Sequence, residues 1–288
     1  MSERSKRSAA GAGLTRWQLL HEMGLPSQWR LREQPAVRRA REEALAMPAA
    51  IAHRSEETVA RAPVAMVHER PSVPAAAPAA DREQQIASLD WDQLRQSVAD
   101  CRACGLCQAR RQAVLGVGDV RADWLFIGEG PGAEEDARGE PFVGPAGKLL
   151  DAMLAAIDLR RGEDVYIANA VKCRPPGNRT PETAEMALCA PYLRRQIALI
   201  QPRLIVLLGR AAAHAVLGDV GSLASQRGKT FAFEAVGSSN AAATIPVVVS
   251  YHPAYLLRTL QDKSKAWEDL CRARALMRVA KAAASLPA

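Results

Sequence analysis

Four short, uninterrupted apolar runs, separated by longer stretches of helical periodicity, constrain this chain more than any other feature. Trp124-Leu125-Phe126-Ile127, Val165-Tyr166-Ile167-Ala168, Leu204-Ile205-Val206-Leu207-Leu208 and Val247-Val248-Val249 are apolar at every position. Strands covered on both faces require that pattern. A helical stretch runs from Ala146 to Ile157. Another follows Thr180-Pro181, with Thr180 as N-cap and Pro181 at the first helical position. In it Met186, Cys189, Leu193, Ile197 and Ile200 recur at helical spacing, so Cys189 lies on the apolar face. A third helix follows Gly209, and a long one begins after Lys263. Strand–helix alternation of this kind predicts an α/β fold in three layers, α/β/α, around a central four-stranded parallel sheet. Ligands of such folds sit at the carboxyl ends of the strands.

The alternation covers residues 86–288, which we take as one domain. Residues 1–85 form an N-terminal extension of different character. Leu14 to Trp29 holds Trp17, Leu19, Leu20, Met23 and Leu25 and reads as a short amphipathic helix. It either covers part of the main domain, forms only transiently, or binds a protein partner. The stretch from Pro35 to Ala80 is rich in Ala, Arg, Glu and Pro and lacks an apolar period. Such a segment buries too little surface to offset its ordering entropy, and it reads as a largely disordered linker.

Composition narrows the functional classes. No apolar run approaches the ~18 residues of a membrane span, and no apolar segment follows the polar N-terminus as a secretory signal would need. The expectation is a cytoplasmic protein with no membrane association. The net charge of +7 and pI near 9.3 suit an acidic partner such as nucleic acid. The six cysteines then point to metal ligation or reactive thiols rather than disulfides. Cys101 and Cys104 form a C-x2-C pair, and Cys173 and Cys189 a wider second pair. Soft thiolates suit zinc or an iron–sulfur cluster; the alternative for the second pair is that Cys173 and Cys189 are simply buried apolar residues. Cys107 reads as a spare thiol and Cys271 as a core residue of the last helix.

Each remaining motif follows a strand. Gly128-Glu129-Gly130-Pro131-Gly132 is followed by Glu134, Glu135 and Asp136. Glycines there let the backbone approach a ligand, but the carboxylates exclude a phosphate loop, and no Gly-Lys-Ser/Thr follows. A tight strand–helix connection is the alternative. Phe142, between Pro141 and Val143-Gly144, is either a core aromatic or a stacking platform. Asn169 closes the second strand and either reads the edge of a planar base or makes a local turn. His252 precedes Pro253-Ala254-Tyr255-Leu256-Leu257-Arg258 in an extended backbone context.

Taken in order from Cys101 to Arg258, these motifs resemble the uracil-DNA glycosylase superfamily, in particular its family 4 of iron–sulfur enzymes. The resemblance does not cover residues 1–85. It implies a [4Fe-4S] cluster held by Cys101, Cys104, Cys173 and Cys189, acting structurally. It implies a monofunctional enzyme that flips uracil out of DNA and hydrolyses its N-glycosidic bond to begin base-excision repair. Phe142 would stack on the base, Asn169 would read its polar edge, and the backbone at Gly128 and Gly130 would help hold it. His252 would donate to the uracil oxygen. Better-known relatives carry Asp where this chain has Gly130, so Glu129 is the first candidate for placing water, with Glu135 second. Leu256 and Leu257 would wedge into the duplex, with Arg258 near phosphate. The chain is expected to act as a monomer on uracil-containing DNA. The rival readings are a catalytically inactive iron–sulfur module that binds DNA in replication, and a four-thiolate zinc protein.

Overall fold

The computed structural model describes residues 79–219, 221–234 and 244–284. The expected N-terminal helix lies outside the described residues, as does the expected linker except for Ala79 and Ala80, which open the first helix. The first helix, α1 (Ala79–Ser88), straddles the expected domain start at residue 86. It is followed by α2 (Trp91–Asp100), which opens on a reciprocal cap. The Asp90 carboxylate accepts from the Gln93 N–H at 2.9 Å, while the Gln93 side chain accepts from the Asp90 N–H at 3.0 Å.

Then come β1 (Val117–Gly118), β2 (Trp124–Gly128), α3 (Ala133–Arg138), α4 (Pro145–Ala155) and β3 (Val165–Asn169). The second half holds α5 (Thr183–Ile200), β4 (Leu204–Leu208), α6 (Arg210–Leu217), α7 (Leu223–Gln226), β5 (Thr230–Glu234), β6 (Thr244–Ser250), α8 (Pro253–Arg258) and α9 (Lys263–Ala284).

Among the described residues the sheet has six strands, in the order β1-β3-β2-β4-β6-β5. Its centre, β3-β2-β4-β6, is the expected four-stranded parallel sheet. The two additional strands are antiparallel edges. β1 is two residues long and β5 is only partly buried, so neither has the unbroken apolar run that marks the centre.

Alternation along the strands builds the layers. Phe126, Ile167, Val206 and Val248 face one side, where Leu154 of α4 and Trp267 and Leu270 of α9 cover them. Leu125, Ile127, Ile205, Leu207 and Val249 face the other, against Leu193 and Ile197 of α5 and Ala212 of α6. Each such aliphatic side chain contributes about 1.5–3 kcal/mol on burial. Removing the fully buried Phe126 ring would cost about 3–5 kcal/mol.

One helix start differs from expectation. The cap of α5 is Glu182, not Thr180, because the Glu185 carboxylate reaches back to the Glu182 N–H at 2.8 Å. Pro181 is buried in the preceding loop instead. Among the described residues, no helix is long and apolar enough to cross a membrane.

Parallel register sets the site. Gly128 pairs with Asn169 and Leu208 with Ser250, so the ends of β2, β3, β4 and β6 lie in one row. The loops that leave this row carry the glycine-rich turn, the Asn169 segment, Gly209 and the Tyr251-His252 segment.

Candidate active site and thiol cavity

The turn after β2 is shaped by what a side chain would strike. A Cβ on Gly128 would stand 2.4 Å from the Phe142 ring and 2.5 Å from Asn169 Oδ1. Gly128 therefore brings those two groups against the strand end. The Phe142 backbone is left-handed (φ 56°), a costly conformation for a bulky residue that its surroundings must hold. They do so from three directions. A Cβ on Gly147 would lie 1.8 Å from the Phe142 carbonyl oxygen, so α4 can approach this close only with glycine there. Arg161 donates to the Pro141 and Phe142 carbonyls, each at 2.8 Å, and pairs with Asp151. Glu135 accepts from the N–H groups of Val143 (2.9 Å), Gly144 (3.1 Å) and Gly132 (3.0 Å).

That last network reassigns Glu135. Its carboxylate is committed to three backbone donors, so it braces the loop and is poorly placed to activate water. Glu129 remains open to the cavity. Burial pushes its carboxyl above the ordinary carboxylate range, opposed by a hydrogen bond with Thr180.

Phe142 and the half-buried His252 face each other, with ring centroids 5.4 Å apart and planes 28° apart. His252 caps α8, its Nδ1 accepting from the Ala254 N–H at 3.1 Å. A neutral ring that accepts at Nδ1 carries its hydrogen on Nε2. Burial, with Arg258 acting in the same direction and Glu135 against it, holds the imidazole down at about 4. His252 is thus a neutral N–H donor at ordinary pH.

These groups open into a cavity of about 760 Å³ lined by Glu129, Gly130, Glu135, Phe142, Asn169, His252 and Arg258. Asn169 is 2% exposed, and its Oδ1 has no hydrogen-bond partner. Buried acceptors are rarely left that way. Of the two leucines expected to contact DNA, Leu256 is fully buried in the core beneath α8 and is corrected to a packing residue. Leu257 is 42% exposed. Tyr251 and Tyr255 also line the cavity, stacked on each other at 4.8 Å; sequence reasoning did not single them out, although they flank His252 in the same motif.

A second, smaller cavity is lined by Cys101, Cys104, Cys173 and Cys189, with Arg110 and Lys172. It joins the loop after α2, the segment after β3, and α5. Arg110 donates to Cys173 Sγ at 2.8 Å, and backbone N–H groups of Leu106 and Lys172 donate to Cys104 and Cys189. Burial pushes the Cys189 thiol up to about 12 and also raises Cys104 and Cys173. Among the described residues, no three His, Cys, Asp or Glu side chains stand together as a single-ion site. All four thiols nevertheless line the one small cavity. Cys107 is buried in the adjoining turn Gly105–Gln108 and does not line it. Cys271 is exposed on α9, which corrects its expected place in the core.

Lys172 is completely buried, and burial lowers its amine to about 8 against the opposing effect of Cys189 and Cys173. Its Nζ donates to the Asn169 carbonyl at 2.8 Å. A lysine in the otherwise apolar run Ala170-Val171-Lys172-Cys173 was the available sequence signal for it. Arg110 and Arg161 had none, since each reaches its target across the fold.

Comparison with known proteins agrees with this geometry. Residues 115–271 match the family model of the uracil DNA glycosylase superfamily. A type-4 uracil-DNA glycosylase of Archaeoglobus fulgidus is 44% identical over 170 residues, which cover 58% of this chain and 82% of that protein. Those of Pyrobaculum aerophilum (38%, covering 63% of this chain and 92% of the relative) and Thermotoga maritima (41%, covering 63% and 91%) match comparably.

Proposed function

Because the chain belongs to the uracil-DNA glycosylase superfamily, in its type-4 branch, we propose that its cavity binds uracil flipped out of DNA and hydrolyses the N-glycosidic bond. The observation that carries this reading is the orphan Oδ1 of Asn169. Uracil presents an N–H donor at N3 beside a carbonyl acceptor, and one Asn amide satisfies both. Cytosine presents a ring acceptor and an amino donor there. It would set acceptor against acceptor and leave buried groups unpaired, a mismatch that discriminates by about 10⁴-fold or more.

Flipping the base costs a few kcal/mol. Stacking on Phe142 offsets part of that. As the bond from C1′ to the base lengthens, negative charge gathers on the uracil oxygens, and the Nε2–H of His252 donates to one of them. A donor already fixed by its helix cap needs no reorganisation at that moment. Glu129, at the cavity wall, steadies the positive sugar and orients the water whose oxygen bonds to C1′. The water's proton leaves through that carboxylate, and uracil departs as the anion. The basic residues lining the cavity are Arg179, Arg210, His252 and Arg258. None is an amine that forms a Schiff base, which supports hydrolysis without strand cleavage. The substrate on this reading is uracil-containing DNA, Arg258 and Leu257 meet the strand at the rim, and the enzyme is a cytoplasmic monomer in base-excision repair.

Cys101, Cys104, Cys173 and Cys189 are the residues that would hold a [4Fe-4S] cluster. Four thiols lining one cavity, flanked by the cation of Arg110 and by backbone donors, fit such a group in donor chemistry. When bound, it would supply a cross-link between the domain's start and its centre rather than electron transfer. The rival of a catalytically silent DNA-binding module loses ground because Glu129, Phe142, Asn169 and His252 meet in one cavity.

The test uses two labelled oligonucleotides, one with a single uracil and one with thymine in its place, followed by alkali. Cleavage confined to the uracil strand, and lost in Asn169→Ala, is expected. An intact uracil strand after incubation with brown, folded protein would overturn the reading.

A further inference from the structure

Five residues, Asn169 to Cys173, pass from one cavity to the other. Asn169 ends β3 in the base cavity, while Lys172 and Cys173 line the thiol cavity. Lys172 is tied in from three sides. Its Nζ turns back to the Asn169 carbonyl at 2.8 Å, its N–H donates to Cys189, and its carbonyl accepts from the Val114 N–H at 2.8 Å. Burying an amine is costly unless it is well partnered, and an apolar side chain of the same length would fill this space without that cost. The amine must therefore do something a methionine could not. What it visibly does is hold the peptide carbonyl of the residue whose buried Oδ1 awaits a partner.

We propose that Lys172 is a positioning residue for uracil: through the Asn169 carbonyl it fixes the base-reading amide to the frame that the four cysteines form. This rests on the glycosylase reading and extends it, because base recognition is then anchored in the thiol cavity. Loosening that anchor lets the Asn169 peptide rotate and the amide lose register with the base. Supporting groups of this kind typically matter by about 10–100-fold.

The experiment compares wild type, Lys172→Met and Lys172→Gln by four measurements: kcat/KM on uracil-containing DNA, calorimetric affinity for free uracil, affinity for abasic-site DNA, and visible absorbance of the brown protein. Lys172→Met is expected to lose on the order of tenfold or more in both kcat/KM and free-uracil affinity, while abasic-DNA affinity and absorbance stay at wild-type values. Lys172→Gln, whose amide still donates, is expected to recover part of the loss. Equal uracil affinity in Lys172→Met and wild type would overturn the proposal, making the lysine a filler. Parallel loss of absorbance, abasic-DNA affinity and uracil affinity would overturn it too, making the lysine purely structural. Wild-type protein that leaves uracil-DNA intact would instead sink the glycosylase reading, and the free-uracil comparison would still judge Lys172.

Discussion

The two cavities of this domain are built on opposite plans. The base cavity is assembled mainly by backbone. Glycines at 128 and 147 permit close approach, three N–H groups fix Glu135, and a helix cap fixes His252. The thiol cavity is assembled by side chains from the loop after α2, the end of β3 and the first turns of α5. The first is therefore finished when the sheet is finished, and keeps one unsatisfied atom facing its guest. The second depends on distant segments meeting, so that a group held there would act as a tie. Preorganisation and cross-linking are separate jobs, and the molecule assigns them to separate ends of one five-residue segment.

The thiol cavity is most sensitive at its ligands. Cys173→Ser is expected to lower the unfolding free energy by several kcal/mol, because ligation by residues from separate segments is folding energy. A melting curve followed by circular dichroism reads it, and an unchanged melt would deny the cavity its cross-linking role. His252→Ala should lower stability only by the roughly 0.5–2 kcal/mol of a lost helix cap, but cut kcat by about 10²–10³-fold, the usual loss for one preorganised donor. Gly147→Ala forces the new methyl against the Phe142 carbonyl. Since a displacement of about 1 Å can cost about 10²-fold, kcat/KM should fall by that order, and a wild-type value would mean the loop is not held as described.

The pH profile sharpens the same contrast. Burial raises Glu129, whose charged form is required, so activity should fall as pH drops through a value above the ordinary carboxylate range. His252 stays neutral until about 4, so it should not contribute to that limb. Glu129→Gln should be slow at every pH and lack the limb. A limb that persists in this variant would place the titrating group elsewhere. The smallest effect is expected at the rim. Leu257→Ala should lower kcat/KM a few-fold on duplex DNA and less on single strands, and an equal loss on both would remove the wedge.

Legibility in the sequence followed the same division. The parallel centre was readable because each of its strands is apolar throughout, whereas β1 and β5 were not, being short or half-exposed edges. Glu129, Asn169 and His252 stood out by their places at or just past strand ends, and Phe142 by lying between Pro and Gly turns. Their supports did not: Arg161 and Arg110 act across long sequence separations that no local pattern records. The bracing bonds of Glu135 and the burial of Leu256 were hidden for a related reason. A carboxylate in an acidic run and a leucine in a DNA-facing motif look functional until the backbone donors around the one and the core beneath the other are in view.

Because the Ala254 N–H occupies Nδ1 of His252, the direction in which this imidazole offers its hydrogen is decided by the main chain. The ring cannot exchange tautomers without giving up that cap hydrogen bond. Chemical polarity at the leaving group is thus inherited from folding, and a change as distant from the base as removing that amide, Ala254→Pro for instance, would free the ring to present a lone pair where uracil needs a proton.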